Sequence, residues 1–470
     1  MHSKHQFFNV GKRRAFAHAS LAAGLSLLAS LPVRAADLED PPAIAAAPAL
    51  APAYSGPLAT FAAQMAVDGV TFHATALDFS AVNPSLGLQP GRAANSLYLI
   101  EGADFDLGRI AGIQGAYLHF ENMFFPATEN LNIAPQIGDS QVGYQPPYTP
   151  KGARLSKATL EVKALDDSLD LEGGLTHPGY YYAAFNCSSI NTCFQEMLYL
   201  NAGYTSYAFA VPGGNIRYNI SPRIYVEGGV FATQQNANAY TGYDFSAEKF
   251  NGTLGIGEIG YKSDLGMDTY PMTASLTGFA NSTAHSDYTF QAAFTGAAAV
   301  TSGTSGIVVQ AEKIVWRQDG GRDVSDKHPT AIKIYGSFGT AFDSTMPLQQ
   351  DAWIGATLMA PFAGHPNDTF GVKIDWQRLG DAYAGYLTAA NFVAGGPGWL
   401  SPYKRDSYIF EANAHLQLPY GMAFEPVIQY EINPNSYFNP MTPLRARDGV
   451  YLGGTYVIPL GTMLGLQASN

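Results

Sequence analysis

The sequence predicts an all-β protein: a transmembrane antiparallel β-barrel behind a short N-terminal Pro/Ala-rich segment. Three observations lead there: an export leader, segments in which polar and apolar residues alternate strictly, and a shortage of charge. Only 14% of the 470 residues are charged, against roughly 25% in soluble globular chains. The 28 Tyr and 27 Phe favour strands over helices. Disorder is excluded by the apolar content, and nucleic-acid binding by the net charge of −12. Two cysteines are too few for a disulfide-dense scaffold or a four-cysteine zinc site.

Residues 1–35 carry Lys4, Lys12, Arg13 and Arg14, then an apolar run from Ala15 to Leu31, then Val33-Arg34-Ala35. Basic, apolar and small-residue regions in that order form a secretory signal peptide, cleaved near Ala35. Its removal takes away five basic residues and no acidic one, so the mature chain is more negative still. Residues 36–57 contain Pro41, Pro42, Pro48, Pro52 and Pro57, a density that blocks regular hydrogen bonding and predicts a semi-extended linker. A short helix is expected over Leu58–Val67. Residues 58–470 then read as one β-rich domain, with no composition break and no run of ~18 apolar residues.

The strands announce themselves by period two. In Lys157–Ala164 the apolar face is Ala158, Leu160, Val162 and Ala164, opposite Lys157, Thr159, Glu161 and Lys163. Phe370–Trp376 sets Phe370, Val372, Ile374 and Trp376 against Lys373 and Asp375, with Gln377 continuing the polar row. Tyr408–Leu418 sets Tyr408, Phe410, Ala412 and Ala414 against Glu411, Asn413, His415 and Gln417. Phe424–Ile432 sets Phe424, Ile428, Tyr430 and Ile432 against Glu425, Gln429 and Glu431. Weaker copies occur at Ala116/Leu118/Phe120, Ile216/Tyr218/Ile220, Ile224/Val226 and Ile332/Ile334. A soluble sandwich would turn the apolar rows inward; a membrane barrel turns them to lipid and lines a wet lumen with the polar rows. Segments of ~9–11 residues suit a tilted strand crossing a bilayer. Aromatics near strand ends (Trp353, Tyr403, Tyr408, Tyr430, Tyr437, Phe438) suit interfacial girdles. Charge is scarce because a lipid-facing Arg or Lys costs about 2–4 kcal/mol at the midplane.

Several stretches resemble the carbohydrate-selective porins of Gram-negative outer membranes, the OprB type. They are Tyr98-Leu99 leading to Asp104-Phe105-Asp106-Leu107; Ile110-Ala111-Gly112; Gly115-Ala116-Tyr117-Leu118-His119; and Glu258-Ile259-Gly260-Tyr261. Gly306 to Arg317, Asp368 to Val372, and Glu425-Pro426-Val427-Ile428-Gln429-Tyr430 with Asn433-Pro434 follow in order. The resemblance runs from about Leu97 to Tyr456. It implies a sixteen-strand barrel in the outer-membrane lipid that passes sugars down their gradient without cofactor, as a monomer or a homotrimer. One departure stands out: such barrels usually end on an aromatic residue, whereas this chain ends Gln467-Ala468-Ser469-Asn470, beyond the alternating Val450, Leu452, Tyr456 and Ile458.

A pore passes a neutral polyol by exchanging its water for weakly held wall donors and acceptors. The candidates are Lys157, Glu161, Lys163, Arg217, Arg223, Glu227, Lys373, Asp375, Gln377, Glu411, His415, Glu425 and Gln429. Opposite charges interleave along these rows, so the wall should show little preference for ionic sign. Cys187 and Cys193, with five residues between them, are expected to close a small loop as a disulfide in an oxidising compartment, which the family resemblance supports. Two motifs are decoys. Gly255-Ile256-Gly257-Glu258-Ile259-Gly260 matches the dinucleotide-loop pattern, but no helix follows it. Asp166 and Asp167 are adjacent, so on a strand they could not act as a carboxylate pair; a turn before Leu169 is expected. No H-E-x-x-H, no G-x-S-x-G and no metal set is present. The alternatives are a general porin without sugar preference and, from another class, a soluble secreted β-rich glycan-binding protein or hydrolase.

Overall fold

The computed structural model describes residues 54–140, 152–182, 201–203, 210–233, 242–243, 250–323 and 326–468. Sixteen antiparallel strands close into a barrel in which each strand pairs with its sequence neighbours and the last pairs with the first. They are β1 (Val70–Asn83), β2 (Arg92–Asp106), β3 (Ala116–Glu129), β4 (Ala153–Ala164), β5 (Leu169–Thr176), β6 (Val211–Asn219), β7 (Ile224–Thr233) and β8 (Gly252–Lys262). Then follow β9 (Met272–Asp287), β10 (Ala299–Arg317), β11 (Ala331–Ala341), β12 (Leu348–Met359), β13 (Thr369–Leu379), β14 (Asp406–Gln417), β15 (Ala423–Ile432) and β16 (Gly449–Ile458). Among the described residues no helix is long and apolar enough to cross a membrane. The strands run from 8 residues in β5 to 19 in β10, several of them longer than the spacing of apolar residues alone suggests.

The greasy side of the sheet faces out. On β13, Val372 is 58% exposed while Gln377 is fully buried. Register carries this around the wall: Ile374 lies between Ile354 and Phe410, and the next residue, Asp375, lies between Trp353 and Ile409. Leu118, Leu160, Ile216, Ile259, Leu276, Ile334 and Ile428 are likewise exposed, each on the apolar row of its strand. Alternation with the apolar row outermost is the barrel solution; a sandwich would bury those residues.

Because successive strands reverse direction, the connections fall alternately on two rims, and the longest of them all lie on one. One rim carries short turns such as 165–168, 220–223 and 418–422; the other carries 130–152, 177–210, 380–405 and 433–448. Leu165, Asp166 and Asp167 adopt left-handed backbone in the first turn, a conformation Asp tolerates, and the decoy acids are indeed turn residues. The decoy glycines lie within β8. Gly260 leaves room for the Tyr225 ring, which a β-carbon would meet at 2.1 Å. The expected N-terminal helix is α1 (Ala59–Val67). The other described α-helices are α2 (Leu107–Ala111), α3 (Ile133–Ile137), α4 (Phe290–Thr295), α5 (Asp381–Val393) and α6 (Leu460–Leu464). Helix α6 follows β16 and meets the segment that leads into α1: Leu58 N–H donates to the Leu464 carbonyl at 2.9 Å.

The long connections fold inward. Ile133 and Ile137 of α3 pack on Ala81, Ile409, Val427 and Tyr451, all on inward strand positions. Tyr182 joins Phe231, Leu254, Phe279 and Val308 in a second cluster. Asn201, from the same connection as Tyr182, donates to the Leu348 carbonyl at the start of β12, and Asn281 of β9 donates to the Ala202 carbonyl at 2.8 Å. Asn201 and Ala202 therefore meet strands well around the wall from β5.

Candidate functional site

The inner wall is built from the polar rows, and its charges come in pairs. On β4, Lys157 and Lys163 point inward with Glu161. Lys157 Nζ is 2.7 Å from Glu172 of β5, and Lys163 Nζ is 3.4 Å from Glu161. Arg217 of β6 is 3.2 Å from Glu227 of β7 and its guanidinium lies 3.8 Å over the Tyr225 ring. Lys373 of β13 is 3.6 Å from Glu411 of β14, which also accepts from Asn413 at 2.5 Å and Gln429 at 2.8 Å. His415 meets Glu425 at 2.9 Å. Asp375 and Gln377 are buried on the same wall.

Of the thirteen expected wall residues, Arg223 is placed differently. It lies in the 220–223 turn, pairs with Asp268 at 3.0 Å in the adjacent turn, and is exposed. Pro222 precedes it and the Ser221 hydroxyl accepts from the Arg223 and Ile224 N–H groups, so the strand begins one residue later than the alternation suggests. The aromatics also divide. Tyr408 and Tyr430 face outward. Trp353 occupies an inward register position, opposite Ser337 and Asp375. Tyr403 is buried under the Arg445 guanidinium, and Tyr437 packs on Tyr383 of α5. An aromatic just past a strand end serves an inward-folding connection as readily as a girdle. Cys187 and Cys193 lie outside the described residues.

A second part of the wall went unread. His73 of β1 sits between Asp104 at 3.6 Å and Glu121 at 3.4 Å, and His119 of β3 sits between Asp104 at 2.6 Å and Glu161 at 3.2 Å. Tyr180, from the inward connection, donates to Glu121 and exchanges a 2.6 Å hydrogen bond with Ser156. Lys333 pairs with Glu312 at 3.1 Å between β10 and β11, and Tyr225 and Thr277 both donate to Glu258. The apolar row Ala116/Leu118/Phe120 already implied that His119 and Glu121 share the other face. Nothing in the sequence placed Tyr180 beside them, since that contact joins residues 59 apart. Among the described residues no group of three His, Cys, Asp or Glu is arranged to hold a metal ion.

A closed barrel with an apolar outside and a bore of paired charges and hydroxyls defines a porin, a passive channel of the outer membrane. The model of the carbohydrate-selective porin family, OprB, matches residues 92–457, and the chain belongs to that family of carbohydrate channels. Its fold is similar to that of Pseudomonas putida OprB at high pH, with 19% identity and a TM-score of 0.70 over 84% of this chain and 95% of that one. The low-pH structure of the same porin gives 14% identity and a TM-score of 0.49, covering 84% of this chain and 94% of that one. OmpT of Vibrio cholerae gives 8% and 0.46, covering 83% and 99%. The curated proteins contain no match.

Proposed function

We propose that neutral mono- and small oligosaccharides pass along a ladder whose accessible members are Lys157, Glu161, Lys163, Arg217, Lys373 and His415, held in place by the more deeply buried Glu227, Asp375, Gln377, Glu411, Glu425 and Gln429 behind them. One observation carries the reading: Lys157, Lys163, Arg217, Lys333 and Lys373 each lie within 4 Å of a carboxylate. A cation already matched by an anion offers a sugar hydroxyl a hydrogen bond without holding a free counter-charge, so binding stays weak enough for release. The long connections face the outside and the short turns the periplasm, as in outer-membrane barrels generally. Residues 1–35 direct export, 36–57 serve as a linker, and Cys187 bridges Cys193.

Liposomes carrying the purified protein should swell in sugars with a rate that falls steeply between mono- and tetrasaccharides, and millimolar glucose should reduce single-channel current in planar bilayers. Swelling independent of solute class, with current unaffected by sugars, would instead establish a general pore.

A further inference from the structure

Two stretches at the rim of long connections carry no charged residue: Tyr288 to Ala298 and Ala382 to Tyr403. In a chain of net charge −12 this is unexpected of segments bathed in water, where charge supports solubility. They supply α4 and α5, whose inner faces meet through Ala292, Ala293, Tyr383 and Leu387. Their outer side shows Phe294, Phe392 and Trp399, each about half exposed, with Leu400 94% exposed beside them. The Phe294 and Trp399 rings are nearly parallel, 9° apart in plane with centroids 6.2 Å apart; Phe392 lies 5.2 Å from Trp399. That geometry is an offset stack, and the three residues still keep about half of their surface open.

The arrangement is held from beneath. Asn391 is fully buried; its amide donates to the Thr442 and Leu444 carbonyls at 2.8 and 2.9 Å, and its oxygen accepts from Gly398 N–H at 3.0 Å. Gly398 has φ +52°, and a β-carbon there would lie 2.5 Å from that of Phe392, so glycine is what lets Trp399 turn back onto Phe392. Helix α4 caps the β9–β10 hairpin, whose strands of 16 and 19 residues exceed the ~9–11 needed to cross a bilayer. The hairpin thus has length to carry Phe294 beyond a bilayer crossing, and Phe392 and Trp399 pack beside Phe294.

We propose that Phe294, Phe392 and Trp399 form a docking ledge for uncharged pyranose rings, built on the long connections and sharing no residue with the polar wall of the bore. The assignment to sugar rests on the carbohydrate-channel reading. The chemistry fits: aromatic faces take the apolar C–H face of a sugar ring, and the exposed Gln291, Thr295 and Ser401 lie close in sequence to meet hydroxyls. The absence of charge across both stretches matches a neutral ligand and offers nothing to an anionic one.

The test is retention of the full-length protein in detergent on a gel containing maltohexaose, with a glucuronic-acid oligomer as the charged control. Maltohexaose should retard the wild type. Trp399→Ala and Phe392→Ala should each weaken retention by up to about tenfold, the scale of one aromatic contact. Phe370→Ala, on the lipid face, should not change it, and the charged oligomer should retard none of them. Unretarded wild type, or equal retention of Trp399→Ala, overturns the ledge. So does a change of oligomeric state in Trp399→Ala without a change in retention, which would mark the face as a contact between copies. Single-channel conductance of the same preparations separates the two readings: conductance without retention removes only the ledge, and retention without conductance removes the channel.

Discussion

At the residue scale the wall is a set of mutual dependencies. Glu411 has a fully buried side chain and Lys373 is its nearest cation, at 3.6 Å. Removing the cation leaves a carboxylate that Asn413 and Gln429 alone must hold. Lys373→Met should therefore destabilise the barrel by about 3–5 kcal/mol, the usual cost of breaking a buried pair. The double variant Lys373→Met/Glu411→Gln should recover most of the loss. Urea unfolding in detergent, followed by heat-modifiable gel mobility, reads both; a double variant as weak as the single one would refute the dependency. His177, just beyond β5, gives a pH test. Burial pushes its pKa down from 6.5 to about 3, only partly opposed by the Glu121 charge. Its Nδ1 accepts from Gly179 N–H at 3.1 Å, which requires that nitrogen unprotonated. The unfolded chain therefore binds more protons between these values, so stability is complete above about pH 6.5 and declines as pH falls towards 3. His177→Asn keeps an acceptor but does not titrate, and its thermal midpoint should fall less between pH 7.5 and 4.5. Equal declines would show that His177 plays no part. Much of this wall was legible as alternating polar rows. Arg223 was not, because a proline turn ends the alternation one residue early, and Trp353 was not, because an aromatic on a barrel strand suits either side.

At the scale of elements, the strands were legible and the connections were not. Period two in β4, β13, β14 and β15 was clean because lipid and water impose opposite demands on successive residues. Those demands are tested by Ile374→Arg. Ile374 is an outward residue mid-strand, and a cation there should cost about 2–4 kcal/mol. The yield of folded protein in lipid vesicles should fall, while Ile374→Leu should fold normally; equal yields would contradict the outward assignment. The connections obey no such rule. Helix α3 and Tyr182 fold inward to meet apolar residues on inward strand positions, contacts between segments far apart in sequence. Composition marks only that 382–403 lacks charge; it does not give the direction in which α5 turns its buried face.

At the scale of the whole molecule, closure is the governing feature. β1 pairs with β16 from Ala76↔Ile458 to Val82↔Leu452, so every strand has two partners. Deleting residues 449–458 should leave β1 and β15 as open edges, and such edges invite association. The truncated chain should lose heat-modifiable mobility and aggregate in detergent, whereas the intact chain stays monodisperse; a compact, heat-modifiable truncation would deny the seam its importance. The sequence resemblance implied sixteen strands, and the strand pairing adds what no local pattern carries: which two of them meet last. The join between Leu58 and Leu464 at the rim of short turns has a practical corollary. Fluorescent reporters fused ahead of α1 and behind α6 would share one compartment, so a tag meant for the other side of the membrane has to be spliced into a connection on the opposite rim.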